Sequence, residues 1–215
     1  HSKEIPKWNK EKEKYGKTIL WMPTYRQHRA HEDKALENTY PYGMPCVETK
    51  EQLQRLEEQL AEHNILLLFR PHPVQDLSVF HKEELPHIRI ADDVFLASME
   101  CTLYELLAQT DALITDYSSV YFDYLLTDRP IALTIADKEE YFTRFTLAFP
   151  DYKEAVKGFY IETFSQLSSF LAEIAEGVDS AREERMLAKE KYHTKDAGNS
   201  AKAIVDLLEK EYRLK

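Results

Sequence analysis

The chain has 215 residues, 43% hydrophobic and 12% aromatic, enough to bury one sizeable core. Its formal net charge of -10 argues against a surface built for nucleic acid or anionic lipid, so any anion must be held by a local group of residues. The two cysteines, Cys46 and Cys101, lie far apart and outside any metal-ligand spacing, which gives no disulfide framework or thiolate site and fits a reducing cytoplasm.

Residues 1–16 are mostly charged and read as a loose lead-in in which Trp8 is a candidate anchor. No initiating Met precedes His1 and Ser2, and no apolar signal segment follows them, so an excised or processed piece of a cytoplasmic protein is expected. Order should begin at Lys17. "TILWMP" (18–23) reads as a buried strand stopped by Pro23, and the aperiodic, turn-rich stretch from Thr24 to Pro45 as a long functional loop. From Glu48 to His63, Leu53, Leu56 and Leu60 recur at helical spacing, with Thr49 and Gln52 forming a capping-box pattern. "NILLLF" is a short apolar strand ended by "RPHP", and its run from Ile65 to Phe69 is the longest in the chain, too short to span a bilayer. "HIRIADD" (87–93) reads as another strand and "TLYELLAQT" (102–110) as a short helix. "DALITD" is the next strand, followed by a helix from Ser118 to Leu126 and by "PIALTI", the last clear strand. Beyond residue 162 three helical segments follow, punctuated by Gly177 and Gly198.

Strands that alternate with helices and lack polar alternation predict an α/β fold, a Rossmann-like parallel sheet covered on both faces. In such a sheet, ligands sit beyond the carboxyl ends of the strands. The chemically unusual residues collect there: Thr24 and Arg26 after the first strand, Arg70 and His72 after the second, Thr115, Asp116, Ser118 and Ser119 after the fourth, and Asp137 after the fifth. Tyr117-Ser118-Ser119, leading into a helix, offers backbone N–H groups and two hydroxyls to a phosphate, or uses Ser118 simply as a cap. Asp116 would repel a phosphate, and is better suited to tying down the loop or meeting a ligand hydroxyl. Two prolines fix the backbone around His72, whose imidazole could donate to an oxyanion or exchange a proton. Arg26 and Arg70 can serve a diphosphate or pair with carboxylates. His28 and His31 have no evident third ligand, so no metal is expected, and the many Tyr and Phe residues between 117 and 160 read as core and interface rather than a base-stacking surface. With five glycines in all, the chain carries no Walker loop, no G-x-G-x-x-G and no G-x-S-x-G elbow.

Taken together, "ILWMPTYR" (19–26), "LLFRPHP" (67–73), "DALITDYSSVYFDYLLTDRPI" (111–131), "DKEEYFTR" (137–144) and the closing "KYHTKDAGNSAKAIVDLL" resemble the CDP-glycerol glycerophosphotransferases of teichoic-acid synthesis. The resemblance implies the C-terminal, donor-binding domain of a GT-B fold over residues 17–215 with C-terminal helices, the N-terminal GT-B domain and its Trp-His-Gly motif being absent. It implies attack by an acceptor hydroxyl on the β-phosphorus of CDP-glycerol, releasing CMP, with no cofactor. His72 then corresponds to the essential histidine at the donor diphosphate, Ser118 and Ser119 to phosphate-binding serines, Thr24 and Arg26 to the loop after the first strand, and Asp137 to an acidic position near the transferred group. The acceptor, a polymer or lipid-linked hydroxyl, would be read by the missing domain, with peripheral attachment at the inner face of the plasma membrane. The family's glycine-proline turn appears here as "VKGFY", with Gly158 and no proline after it. Other nucleotide donors (CDP-ribitol or a UDP-sugar) and a non-catalytic nucleotide-binding or scaffold domain are the competing readings; a receiver domain is disfavoured because Pro23-Thr24 stands where its acidic pair would.

Overall fold

The computed structural model describes residues 4–24, 40–72, 80, 83–145, 149, 151–193 and 197–212. Strands without polar alternation must have both faces buried, and the burial is complete along the centre of this sheet. β1 (Lys17–Trp21), β2 (Ile65–Phe69), β3 (Ile88–Ile90), β4 (Ala112–Thr115), β5 (Ile131–Thr134) and β6 (Phe159–Ile161) form, among the described residues, one sheet ordered β3-β2-β1-β4-β5-β6. Every neighbouring pair is parallel, with Trp21 opposite Phe69 on one side and Ile114 on the other.

The pleat divides the core in two. Ile19, Trp21, Leu67, Phe69 and Ile114 face a layer made by α2 (Lys50–Glu62) and α8 (Phe164–Glu176), which contribute Leu53, Leu56 and Leu60, and Leu167, Phe170 and Leu171. Leu20, Leu66, Leu68, Leu113 and Leu133 face the opposite layer, where α4 (Leu103–Leu107), α5 (Val120–Leu125) and α9 (Arg182–Tyr192) lie. Capping boxes start α2, α4 and α8 at Thr49, Thr102 and Thr163, and Gly177, left-handed at φ 72°, ends α8. The buried Arg185 of α9 grips Asp179 through two bonds of 2.7 and 2.6 Å and donates to the Asp128 carbonyl, clamping α9 onto the turn before β5.

The parallel α/β reading and the positions of its strands hold, with local differences. Residues 6–12 are not a loose lead-in: α1 (Pro6–Lys12) buries Trp8 completely, its edge against the ring of Phe95. α3 (Asp93–Met99), capped by the Asp92 carboxylate on the Phe95 amide, follows the strand read as ending at Asp93. A sixth strand, β6, follows "PIALTI", its three residues too few to show a period. Just before β6, a Cβ on Gly158 would lie 2.7 Å from the Ile131 carbonyl oxygen, so only glycine lets this segment approach β5 so closely. The helices α6 (Lys138–Arg144), α7 (Tyr152–Ala155) and α10 (Ser200–Tyr212) complete the described chain. Among the described residues no helix is long and apolar enough to cross a membrane.

Two outcomes follow from this packing. Removing the indole in Trp8→Ala should lower the unfolding free energy by about 3–5 kcal/mol in urea melts, whereas an unstructured lead-in would leave it unchanged. Burial pushes the phenol of Tyr124, which donates to the Thr110 carbonyl at 3.0 Å, up to about 12 from an ordinary 10. The folded state therefore keeps a proton there that the unfolded chain has lost, so stability should fall as pH rises from 10 through about 12, and fall less steeply in Tyr124→Phe.

Candidate functional site

The strand order reverses between β1 and β4, and a parallel sheet opens a crevice at such a reversal, beyond the carboxyl ends of the two strands. Here the two chains stay joined after the ladder ends. The Met22 amide donates to the Ile114 carbonyl at 2.8 Å, and the Thr115 hydroxyl to the Met22 carbonyl at 2.8 Å. The Asp116 carboxylate then accepts the Thr24 amide on both oxygens, at 3.0 and 2.9 Å, and the Thr24 hydroxyl at 3.0 Å. At 1% exposure this carboxylate has lost most of its water, and the Thr24 donors replace part of that hydration. From the other side the Tyr152 hydroxyl donates to the Asp116 main-chain carbonyl at 2.6 Å. Burial, reinforced by the neighbouring Asp116 charge, pushes the Tyr152 phenol far above its usual range, so it remains a donor throughout the physiological range.

After Asp116 the chain turns through Tyr117, Ser118 and Ser119 into α5, which begins two residues later than the sequence pattern indicates. Ser119 holds the cap position without a side-chain capping bond, and the Ser118 hydroxyl oxygen accepts the Val120 amide only at a long 3.4 Å. Among the described residues the Ser118 and Ser119 amides have no backbone acceptor. Both serines, with Asp116, Tyr117, Phe122 and Tyr152, line a cavity of about 140 Å3. The Tyr117 ring stacks on Tyr141 at 4.0 Å and 24°, and its hydroxyl donates at 2.9 Å to the carboxylate of Asp137, which is buried just before α6. This bond brings Asp137 to the same edge as the serines.

On the β2 side, the Arg70 amide extends the ladder by donating to the Trp21 carbonyl at 2.8 Å. Its guanidinium turns outward to β3, donating to the Ala91 carbonyl at 2.7 Å and to Asp93 at 2.8 Å. His72 lies exposed two residues on. Thr24, Thr115, Asp116, Ser118, Ser119 and Asp137 thus meet at the β1/β4/β5 end of the crevice, while Arg70 is engaged at the β2/β3 end with Asp93. Arg26, His28, His31 and Pro73 lie outside the described residues. Sequence reasoning did not single out Tyr152, 36 positions from its partner, nor the Tyr117 link to Asp137; no spacing signals either contact.

Residues 6–210 match the family described as CDP-glycerol:poly(glycerophosphate) glycerophosphotransferase. The chain belongs to that family. It is 31% identical over 160 residues to the teichoic acid poly(ribitol-phosphate) polymerase of Bacillus spizizenii, covering 73% of this chain and 22% of that one. It is 24% identical over 189 residues to the teichoic acid glycerol-phosphate transferase of Staphylococcus aureus, covering 87% of this chain and 44% of the relative. A histidine-to-asparagine variant of the wall teichoic acid polymerase TagF, soaked with CDPG, superposes with a TM-score of 0.60 at 21% identity over 96% of this chain and 46% of its own. The chain therefore spans less than half the length of these relatives, and the TagF likeness establishes the fold, that of a GT-B-type α/β layer.

If the Asp116 carboxylate is what joins the ends of β1 and β4, Asp116→Ala should destabilise the chain by about 2–3 kcal/mol and sharply speed hydrogen exchange at the Thr24 amide. Unchanged exchange at Thr24 would show that other contacts hold this junction.

Proposed function

We propose that this family member is the donor-binding half of a transferase that moves glycerol phosphate from CDP-glycerol to a hydroxyl acceptor in teichoic-acid or related cell-surface polymer synthesis. The observation that carries the reading is the β1/β4 crevice, where two serines whose amides have no backbone acceptor among the described residues stand beside a buried carboxylate bonded to Thr24. A carboxylate whose oxygens faced the crevice would repel a diphosphate; the Asp116 oxygens are turned to the Thr24 amide and hydroxyl, which leaves the serine side available for phosphate oxygens.

In the reaction, the acceptor oxygen bonds to the β-phosphorus of the donor as the bond from that phosphorus to the CMP oxygen breaks. CMP leaves and a phosphodiester forms. The acceptor proton passes to a base supplied by the other half of the transferase, in the same chain or in a partner domain, which also reads the polymer or lipid-linked acceptor. Within this chain, Ser118 and Ser119 hold diphosphate oxygens, and His72 donates to the charge that grows on the departing CMP phosphate. Asp137, held by Tyr117, lies toward the transferred glycerol, and Thr24 and Thr115 shape the crevice wall. Arg26 and Arg70 are the candidate cations for the diphosphate, Arg70 only on leaving Asp93. Positioning and charge neutralisation supply most of the rate in such transfers.

Relatives that carry ribitol-phosphate names favour a second reading, in which the donor is CDP-ribitol. Calorimetric titration of the chain with CDP-glycerol, CDP-ribitol, CMP and UDP-N-acetylglucosamine distinguishes these. Saturable binding of one cytidine polyol, weaker for the uridine sugar and lost in His72→Ala and Ser118→Ala/Ser119→Ala, is the expected result. A folded chain that binds none of them would refute a self-sufficient donor half.

A further inference from the structure

A second cavity, of about 360 Å3, lies at the opposite edge of the sheet, where the strands begin. Lys17 opens β1, Asp111 precedes β4 and Arg129 precedes β5; Gly177, Asp179 and Arg182, from the turn between α8 and α9, close the other wall. Both lining carboxylates are already neutralised by cations. Asp111 accepts the Thr18 amide and hydroxyl at 2.8 Å each and pairs with Lys12 at 3.2 Å. Asp179 is held in two bonds by Arg185. Glu173, in the last turn of α8, accepts the Ser180 amide and hydroxyl at 3.2 and 2.9 Å.

The lining cations are not matched in this way. Among the described residues Arg129 donates to neutral acceptors, the carbonyls of Ala108 and Thr110, and makes no ion pair. Lys17 and Arg182 have no ion-pair or hydrogen-bond partner for their side chains among the described residues. Within the lining and its immediate partners, five cationic side chains, Lys12, Lys17, Arg129, Arg182 and Arg185, meet the two carboxylates Asp111 and Asp179. In a chain whose net charge is -10, this is a local reversal of sign inside a concavity large enough for a small phosphorylated molecule.

We propose that this amino-edge cavity is a second anion site, separate from the donor crevice, that takes one phosphate group between Lys17, Arg129 and Arg182. The two arginines supply forked N–H donors to phosphate oxygens, and the lysine a point charge. The same chemistry would accept free phosphate or a phosphodiester unit of a polymer. The site does not rest on the donor reading, because no residue of the β1/β4 crevice lines it.

The test is an amide NMR titration of the whole chain with inorganic phosphate, glycerol 3-phosphate and diglycerol phosphate, each against sodium chloride at equal ionic strength. Saturable shifts are expected at Gly177, Val178 and Arg182, with affinity reduced about tenfold or more in Lys17→Gln/Arg182→Gln and unchanged in His72→Ala. Arg182→Gln alone, at an exposed position, gives the same reading in part should the double variant fold poorly. Preference for the diester would make the occupant a polymer phosphate, and preference for inorganic phosphate a free anion. A response no larger than that to chloride, or one that the variants leave intact, would overturn the site.

Discussion

The carboxylate of Asp116, sunk between the ends of β1 and β4 and bonded to the amide and hydroxyl of Thr24, sets the geometry of the crevice. β1 and β4 are adjacent in space but some ninety residues apart in the chain, and a parallel ladder stops at its last register pair. Beyond that point nothing in the backbone requires the two chains to run together. The Thr115 hydroxyl and the Asp116 carboxylate continue the joint with side chains, so the turn at Ser118 starts from a fixed point. A buried carboxylate costs several kcal/mol unless it is hydrogen-bonded, and here the donors that satisfy it are those that fix the loop. Tyr152 secures the same residue by its carbonyl, so Asp116 is held at both its ends.

Around this joint the two helical layers do different things. α2 and α8 cover one face with leucine, isoleucine and phenylalanine side chains. The other layer carries the tyrosines: Tyr121 both donates to and accepts from the main chain of Lys157, Tyr124 reaches Thr110, and Tyr117 reaches Asp137. Tyr121 and Tyr124 combine a large buried ring with one directed hydroxyl, which packs a helix and fixes a loop at once, and the half-buried Tyr117 ties one loop to another. The aromatic richness of residues 117–160 is therefore core, and also the means by which the carboxyl edge is held.

The central strands were legible because burial on both faces removes polar alternation, leaving short unbroken apolar runs such as "ILLLF" and "ALIT". α2 announced itself through Thr49, Gln52 and its leucine stripe. α1 was hidden because one indole supplies most of its anchorage, and a single Trp among lysines and glutamates has no period to detect. The candidate site residues were visible as types at strand ends, Thr24, Asp116, Ser118 and Asp137 among them. Their pairings were not: whether Asp116 meets Thr24 or a ligand, and whether Arg70 turns inward or toward Asp93, depends on side-chain directions that no linear spacing encodes. Tyr152 acts through a contact between distant segments, so only the folded chain exposes its part.

The two outermost strands, β3 and β6, have three residues each, and β6 follows a glycine pressed against the Ile131 carbonyl. An open sheet grows wherever a long row of bare amides and carbonyls invites another chain to pair. Three residues offer too little length for such pairing, and Arg89 on β3 sets a charge, bound to Glu11, on one of the two borders. The short borders of the sheet therefore leave little edge for another copy to extend, whatever the crevice binds.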